Sequence, residues 1–493
     1  MLKLFSTQRV TFLIVFAVLG TVTVIHDPDF YFHLVAGQYI LAHDLLPHVD
    51  VFSFTMEGAP WHMHEWLFEV AVAALYGIGG EGAIVWTVSA LGVWAYYRLF
   101  CAGLGERAVG LVALLPVLLL MAYYLVFVIP RPQVITFVAF AITLAALLDL
   151  KYRGRWQGLW LLPPLMLVWV NSHGAYLLGI AMPGLFVLTE GWLWWRAGRP
   201  TEKGRQLKIL LPVLAATLLA TLVNPYFIDN WWFPFELMNR EAMGVISEWR
   251  PPDWREPFNQ GYLVCLLLFI GLYLDRKPLP DITEWLLPGA MIAASLTAVR
   301  HIPLAALTML PFAIVALGRS SRLGAVFGSW RRARPGGELG PRENLFNAVL
   351  LGAVLVLLAM FSPALERAQQ QLKRTILPVD AVDFIEQNAL QGRLFNQYRY
   401  GGYLLHRLYP GQRVYIDIRA DMYGDAMMRD YTAMISGAGE WESVFDRYHF
   451  DAVLCEADAP LVGLLLERGD FHLAYRDEHN VVLVQSSKFK VQR

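Results

Sequence analysis

The chain has 493 residues, of which 56% are hydrophobic and only 16% charged, with a mean hydropathy of +0.44. Soluble domains carry roughly 25% charged residues, so the solvent for much of this chain is a bilayer. A net charge of −1 excludes nucleic acid as a partner, because phosphate binding needs a basic face. Cys101, Cys265 and Cys455 lie far apart, two of them in apolar runs, which suggests neither a disulfide framework nor a zinc site.

The N-terminal apolar run to Ile25 has the look of a signal peptide. It lacks a small-residue cleavage site and leads straight into His26 and Asp27, so it reads as a retained first span. Stretches long enough to cross about 30 Å of hydrocarbon occur at 9–25, 82–101, 108–129, 133–150, 158–170, 174–195, 208–223, 260–274, 283–299, 302–318 and 344–362. They predict a polytopic α-helical membrane protein of about eleven transmembrane helices.

Lysine and arginine orient these spans. About twenty basic residues fall in the loops around Lys3 and Arg9, Arg98 and Arg107, Lys151 to Arg155, Arg196 to Lys208, Arg276 and Lys277, and Arg319 to Arg342. The opposite loops hold Arg131, Arg240, Arg250, Arg255 and Arg300. The positive-inside rule makes the first set cytoplasmic. The expected location is the inner (plasma) membrane, multi-pass, with a cytoplasmic N-terminus and an extracytoplasmic C-terminal domain. Residues 65–78, which open on Glu65-Trp66-Leu67-Phe68-Glu69, look half like a span. Crossing would flip every later loop, so parity predicts a helix lying at the outer interface.

The resulting layout is a transmembrane domain over 1–362 with outer loops at 26–81 and 224–259. A cytoplasmic linker rich in Arg, Gly and Ser occupies 319–343, and a soluble α/β domain occupies 363–493. In that domain β-branched or aromatic runs (Arg413 to Ile418, Asp451 to Cys455, Asn480 to Gln485) alternate with amphipathic stretches at Ala381 to Gln387 and Trp441 to Tyr448, an α/β rhythm.

The first outer loop concentrates the chemistry. Between residues 26 and 64 it has no Lys or Arg, yet it holds six of the twelve histidines. Asp27-Pro28-Asp29 stands directly at the end of the first span, where carboxylates are costly beside lipid and need water, a cation or a bound partner. One carboxylate can act as general base and the other can hold a metal or its water. The competing reading is a pair of solvated surface acids. The loop histidines have no compact ligand spacing such as HExxH, which argues against zinc.

The run Asp27-Pro28-Asp29-Phe30-Tyr31-Phe32-His33-Leu34 with Gly37 resembles the GT-C class of membrane glycosyltransferases. So do Asp50 to Thr55, Trp61 to Trp66, Arg131-Pro132-Gln133 and Trp169 to Gly174. Asn224-Pro225-Tyr226, Gly401-Gly402-Tyr403 and Ile416 to Tyr423 extend the resemblance over essentially the whole chain. The class includes protein mannosyltransferases, oligosaccharyltransferases and the aminoarabinose transferase of lipid A; the similarity is to a bacterial branch of it.

The resemblance implies transfer of a sugar from a polyprenyl-phosphate-linked donor to an envelope lipid, glycan or protein acceptor on the extracytoplasmic face. Asp27 is then the candidate base, and Asp29 the second carboxylate, for the acceptor or for a divalent cation (Mg or Mn). Some members of the class use a cation at this motif and others do not. Arg131, Arg300 and His301 are candidates for the donor phosphate, since a guanidinium fork suits phosphate oxygens; the competing reading is snorkelling to lipid headgroups. His33, Glu65, Asn171, His173 and Glu248 are candidate substrate contacts. Against these stand a helix-end role for His173, dipole stabilisation for Glu65 and a solvated acid for Glu248. Asp417, Arg419 and Asp421 follow a strand-like run, where either a ligand site or a structural ion pair fits. Two other classes of function compete, a lipid or glycan flippase and a non-catalytic envelope scaffold. No inverted repeat supports transport.

Overall fold

The computed structural model describes residues 7–25, 27–104, 114–238, 240, 247–320 and 341–486. His26 and most of the linker expected at 319–343 lie outside the described residues. The chain divides into two compact units. The first comprises 1–23, 85–230 and 246–362, and the second 24–84, 231–245 and 363–493. The loop following the first helix, residues 24–84, thus groups with the C-terminal residues, not with the helices beside it in sequence.

The first unit is helical: α1 Thr7–Val22, then α4 Leu114–Leu125, α5 Gln133–Arg153, α6 Leu162–Val170, α7 Leu178–Arg196 and α8 Thr201–Ala220. It continues with α10 Pro257–Asp275, α11 Ile282–Thr297, α12 Ile302–Leu317 and most of the span in α13 Pro341–Ile376. Helix α3, Trp66–Leu104, and helix α9, Asp229–Met238, run from one unit into the other. Every residue of α12 is buried, and a helix apolar all round belongs in a core. By contrast, none of the apolar window of α13 is buried, as suits a helix whose solvent is lipid.

Local signals set the helix ends. Gly154 closes α5 in the left-handed region (φ 65°), its N–H reaching the carbonyls of Asp149 and Leu150, a C-terminal cap that glycine adopts without strain. Asp281 and Glu284 open α11 with a reciprocal capping box, satisfying two otherwise orphaned donors. At the same end of the unit, Lys151 pairs with Glu190 and Asp281, and Lys203 with Glu190. Tyr152 donates to Glu284, which also pairs with buried Arg276. Buried charges persist only when paired, and this network locks α5, α7, α8 and α11 together.

Among the described residues, six helices are long and apolar enough to cross a membrane, and two shorter apolar helices accompany them. The expected number was eleven. The difference lies in length: α1, α6 and α11 are short, α8 begins with the charged run Glu202 to Lys208, and part of 108–129 lies outside the described residues. Helix α3 breaks at Gly79-Gly80, where Gly80 has φ 59°, a conformation natural only to glycine. The segment expected to lie at the interface, 65–78, ends at this break.

The second unit holds α2 Pro28–His43 and the first part of α3. With them belong α14 Val379–Gln387, α15 Gly401–Leu408, α16 Ala420–Ser436, α17 Trp441–Tyr448 and α18 Pro460–Arg468. Strands β1 Leu394–Asn396, β2 Ala452–Glu456, β3 Phe471–Arg476 and β4 Asn480–Gln485 form one sheet in the order β1-β2-β4-β3. β1 and β2 are parallel, and the other pairs antiparallel. The runs at Asp451 to Cys455 and Asn480 to Gln485 are strands as expected.

Arg413 to Ile418 does not join the sheet. Its backbone is held instead by the Asn396 side chain, which accepts from Tyr415 N (3.0 Å) and donates to Ile416 O (2.8 Å), and by a bridge from Val414 to Ser53. A side-chain amide has replaced the strand ladder, so β propensity is overridden by tertiary pairing.

Arg419 joins two segments of this unit, 24–84 and 363–493. Its guanidinium is 3% exposed, 2.7 Å from Asp50 Oδ1 and 2.6 Å from Asp417 Oδ2. The rings of Phe32, Phe52, Trp61 and Tyr423 surround it at 4.7–5.8 Å. Removing one partner of such a buried pair leaves uncompensated charges and costs about 3–5 kcal/mol. Arg419→Met should therefore lower the thermal midpoint of the purified chain and expose 377–486 to protease; an unchanged melt and digestion pattern would refute the role.

Candidate active site

The Asp-Pro-Asp motif is a helix start. Asp27 is the N-cap of α2, its Oδ1 accepting from Asp29 N at 3.1 Å, and Pro28 occupies the first helical position. Both choices are those the backbone favours there, an acceptor at the cap and a residue needing no N–H. The motif thereby fixes Asp27, 8% exposed, and sets Asp29 in the first turn, where the helix dipole favours negative charge.

Two glycines bring other elements against this helix. A Cβ on Gly402 would lie 2.3 Å from Pro28 O, and one on Gly37 would lie 1.9 Å from Glu69 O. Only a bare Cα permits these approaches of α15 and α3 to α2.

His33 lies four residues after Asp29, on the same face of α2. It is 5% exposed, with Nδ1 3.2 Å from Glu69 Oε1 and Nε2 4.0 Å from Glu65 Oε2. Glu65 is in turn 3.6 Å from His64 Nε2. The second oxygen of Glu69 is buried without a hydrogen-bond partner. Burial raises the Glu65 carboxyl above the usual range, opposed by His64 and His33, while Glu69 and Asp421 raise it further. Asp421, at the start of α16, is raised for the same reason, with His64 and Arg419 opposing. Burial, with Asp29, Asp417 and Asp421 adding to it, holds the Tyr398 phenol well above its ordinary value.

Glu65, with His33 and His64 beside it, is thus within electrostatic reach of Asp421, and Tyr398 is within reach of both Asp29 and Asp421. Sequence reading missed Glu69 and left Asp421 open. The four-residue spacing from Glu65 to Glu69 was the available signal for the first; nothing local pointed to the second. Asp417, by contrast, is committed to Arg419 and to the Tyr423 hydroxyl.

The remaining candidates lie in the first unit. Asn171 donates to the carbonyls of Leu167 and Val223, both at 2.8 Å, and so ties two helix ends. His173 Nδ1 lies 2.8 Å from Thr136 Oγ1 and accepts from Ala175 N, a helix-end arrangement. His301 Nδ1 lies 3.0 Å from Ala294 O. Arg131 Nη1 meets Glu248 Oε1 at 2.8 Å, and the Arg300 guanidinium stacks over the Trp249 ring at 4.1 Å. These two arginines, far apart in sequence, therefore rest against consecutive residues.

A divalent cation at Asp29 finds no ligand set: among the described residues no three His, Cys, Asp or Glu side chains are grouped to hold a metal ion.

No protein-family model matches the sequence, and no curated protein matches it. Solved structures do. The chain is similar to the oligosaccharyltransferase of the archaeon Archaeoglobus fulgidus tethered to an acceptor peptide containing the NVT sequon: TM-score 0.56, 13% identity, 92% of this chain and 70% of that one. It is similar also to the same organism's oligosaccharyltransferase AglB in complex with an inhibitory peptide and a dolichol-phosphate, with TM-score 0.51, 12% identity and coverage of 90% and 69%. For the apo form the figures are 0.52, 13%, 90% and 69%. The chain thus shares the fold of this archaeal oligosaccharyltransferase.

Proposed function

We propose that the chain is a GT-C-type glycosyltransferase that moves a sugar from a polyprenyl-phosphate-linked donor to an envelope lipid, glycan or protein on the extracytoplasmic face. The observation that carries this reading is the Asp27-Pro28-Asp29 start of α2, with His33 of the same helix paired to Glu65 and Glu69, in a fold shared with an oligosaccharyltransferase.

In the proposed reaction an acceptor hydroxyl attacks the anomeric carbon, the bond from that carbon to the phosphate oxygen breaks, and polyprenyl phosphate leaves. Asp27 takes the hydroxyl proton, while Asp29, Glu65 and His33 hold the acceptor. The developing phosphate charge needs fixed cations, and Arg131 and Arg300 supply them. The loops carrying Lys151 to Arg155 are cytoplasmic and the acidic loop faces outward, as the distribution of basic residues favours.

Asparagine preserves N-cap capacity but removes charge and basicity. Asp27→Asn should leave a folded, inserted protein whose transfer from a polyprenyl-phosphate sugar, assayed in nanodiscs, falls by about 10²–10⁴-fold. Near wild-type turnover in the Asp27→Asn, Asp29→Asn double variant would eliminate the site. Arg131→Lys and Arg300→Lys should each raise the donor KM, because bidentate geometry is lost; full activity of both alanine variants at limiting donor would exclude a phosphate role. A cysteine placed within 151–157 should resist a membrane-impermeant thiol reagent in whole cells, and labelling from outside would reverse the orientation.

A further inference from the structure

His33, assigned above to the acceptor, is itself held by a second acid. Gly37 follows His33 by one turn of α2 and lies on the same face. There the backbone of α3 comes so near that a Cβ on Gly37 would lie 1.9 Å from Glu69 O. This approach sets the Glu69 side chain against the imidazole, with Oε1 3.2 Å from His33 Nδ1. Glu69 N donates to Glu65 O at 3.1 Å, so the two acids stand one turn apart on one face. They lie toward the two nitrogens of one ring, with Glu65 Oε2 4.0 Å from Nε2.

Ring contacts alone do not orient that imidazole. Phe32 and Phe68 meet it edge to face, each at 5.6 Å, which restrains the plane of the ring. A half-turn about Cβ–Cγ keeps that plane and exchanges each nitrogen for a carbon. A hydrogen bond at Nδ1 distinguishes the two orientations, and Glu69 makes it. The acid occupies this place at a cost. Glu69 is 2% exposed, and among the described residues its Oε2 is buried without a hydrogen-bond partner. An unmet buried oxygen opposes folding, and an apolar side chain of similar length would fill the space without it. A buried acid of this kind calls for a role beyond packing.

We propose that Glu69 is a positioning residue: it holds the His33 ring through Nδ1 so that Nε2 is turned toward Glu65, on the side that receives the acceptor. This rests on the reading of His33 and Glu65 as acceptor contacts. The bond needs one proton between Nδ1 and Oε1, and either group can carry it; in both cases the same nitrogen faces Glu65. Without Glu69 the ring would populate both orientations, and in the wrong one a carbon faces Glu65.

The test uses the full-length chain in nanodiscs, isotope-labelled at its histidine nitrogens, and reads transfer from a polyprenyl-phosphate monosaccharide to an envelope extract. The His33 ring resonances are identified by their loss in His33→Gln. Glu69→Met and Glu69→Gln should both move them, because the partner of Nδ1 changes. Glu69→Met should raise the amount of extract needed for half-maximal transfer by about tenfold, the worth of one hydrogen bond to a charged group, and leave the donor KM unchanged. Glu69→Gln, whose amide still bonds Nδ1, should recover most of that loss. Because Glu69 acts through His33, the Glu69→Met, His33→Gln double variant should lose no more than His33→Gln alone. His33 resonances that stay in place in either variant overturn the proposal, and so do losses that multiply in the double variant. Failure of both Glu69 variants to fold would make Glu69 a structural tie and overturn it as well. If His33→Gln keeps the wild-type dependence on extract, the reading of His33 as an acceptor contact fails, and the proposal with it.

Discussion

The buried guanidinium of Arg419 is the constraint on which the second unit depends. It sits between Asp50 of the first loop and Asp417 of the C-terminal segment, under rings from α2, the loop and α16. The spare capacity of Asp50 is taken by the N–H groups of Phe52 and Ser53 and by the Ser53 hydroxyl, so the cluster's excess negative charge is hydrogen-bonded. A buried pair adds little net stability over a well-packed apolar substitute. What it supplies here is register. The two carboxylates fix the loop against the C-terminal residues through one guanidinium, and Asp421, four residues from Asp417, lies within electrostatic reach of His64 and Glu65.

Close packing does the rest. Gly402 and Gly37 remove the Cβ atoms that would hold α15 and α3 away from α2. The Tyr31 ring then packs edge-on against Tyr403 and beside His406, and its hydroxyl donates to Glu81 at 2.9 Å, an acid that also pairs with Lys373. The first half of the helix that begins with Asp27 and Asp29, Phe30 to Gly37, is thus gripped by residues from distant parts of the chain. A reacting carboxylate needs this rigidity, because misplacement by about 1 Å can cost 10²-fold in rate.

Much of this was legible in the sequence where the cause is local. Asp-Pro-Asp announces an acidic pair, although its role as the start of a helix went unread until the fold was seen. The runs at Asp451 to Cys455 and Asn480 to Gln485 pair as strands because their alternation and length suit a sheet. The reading fell short where a distant residue decides the outcome. Arg413 to Ile418 has strand composition, yet Asn396 and Ser53 hold its backbone outside the sheet. Asp417 and Asp421 look alike in sequence; Arg419 takes the first, and the second lies within electrostatic reach of His64 and Glu65. Glu248 read as a sugar contact or a solvated acid, and its partner proves to be Arg131, 117 residues away. The span number is the coarsest part of the reading, because hydropathy cannot tell a short helix from a full crossing.

Under the proposed function the Asp27-Pro28-Asp29 end of α2 serves glycosyl transfer and not passage of a lipid. Mass spectrometry of the products tests it most directly. Purified wild-type chain in nanodiscs would be given a polyprenyl-phosphate sugar and an envelope extract, and the lipid and sugar would be followed separately. The account predicts that free polyprenyl phosphate appears in step with a new sugar adduct on an envelope lipid, glycan or protein. Donor recovered intact, with no sugar adduct and no released carrier phosphate, would contradict it.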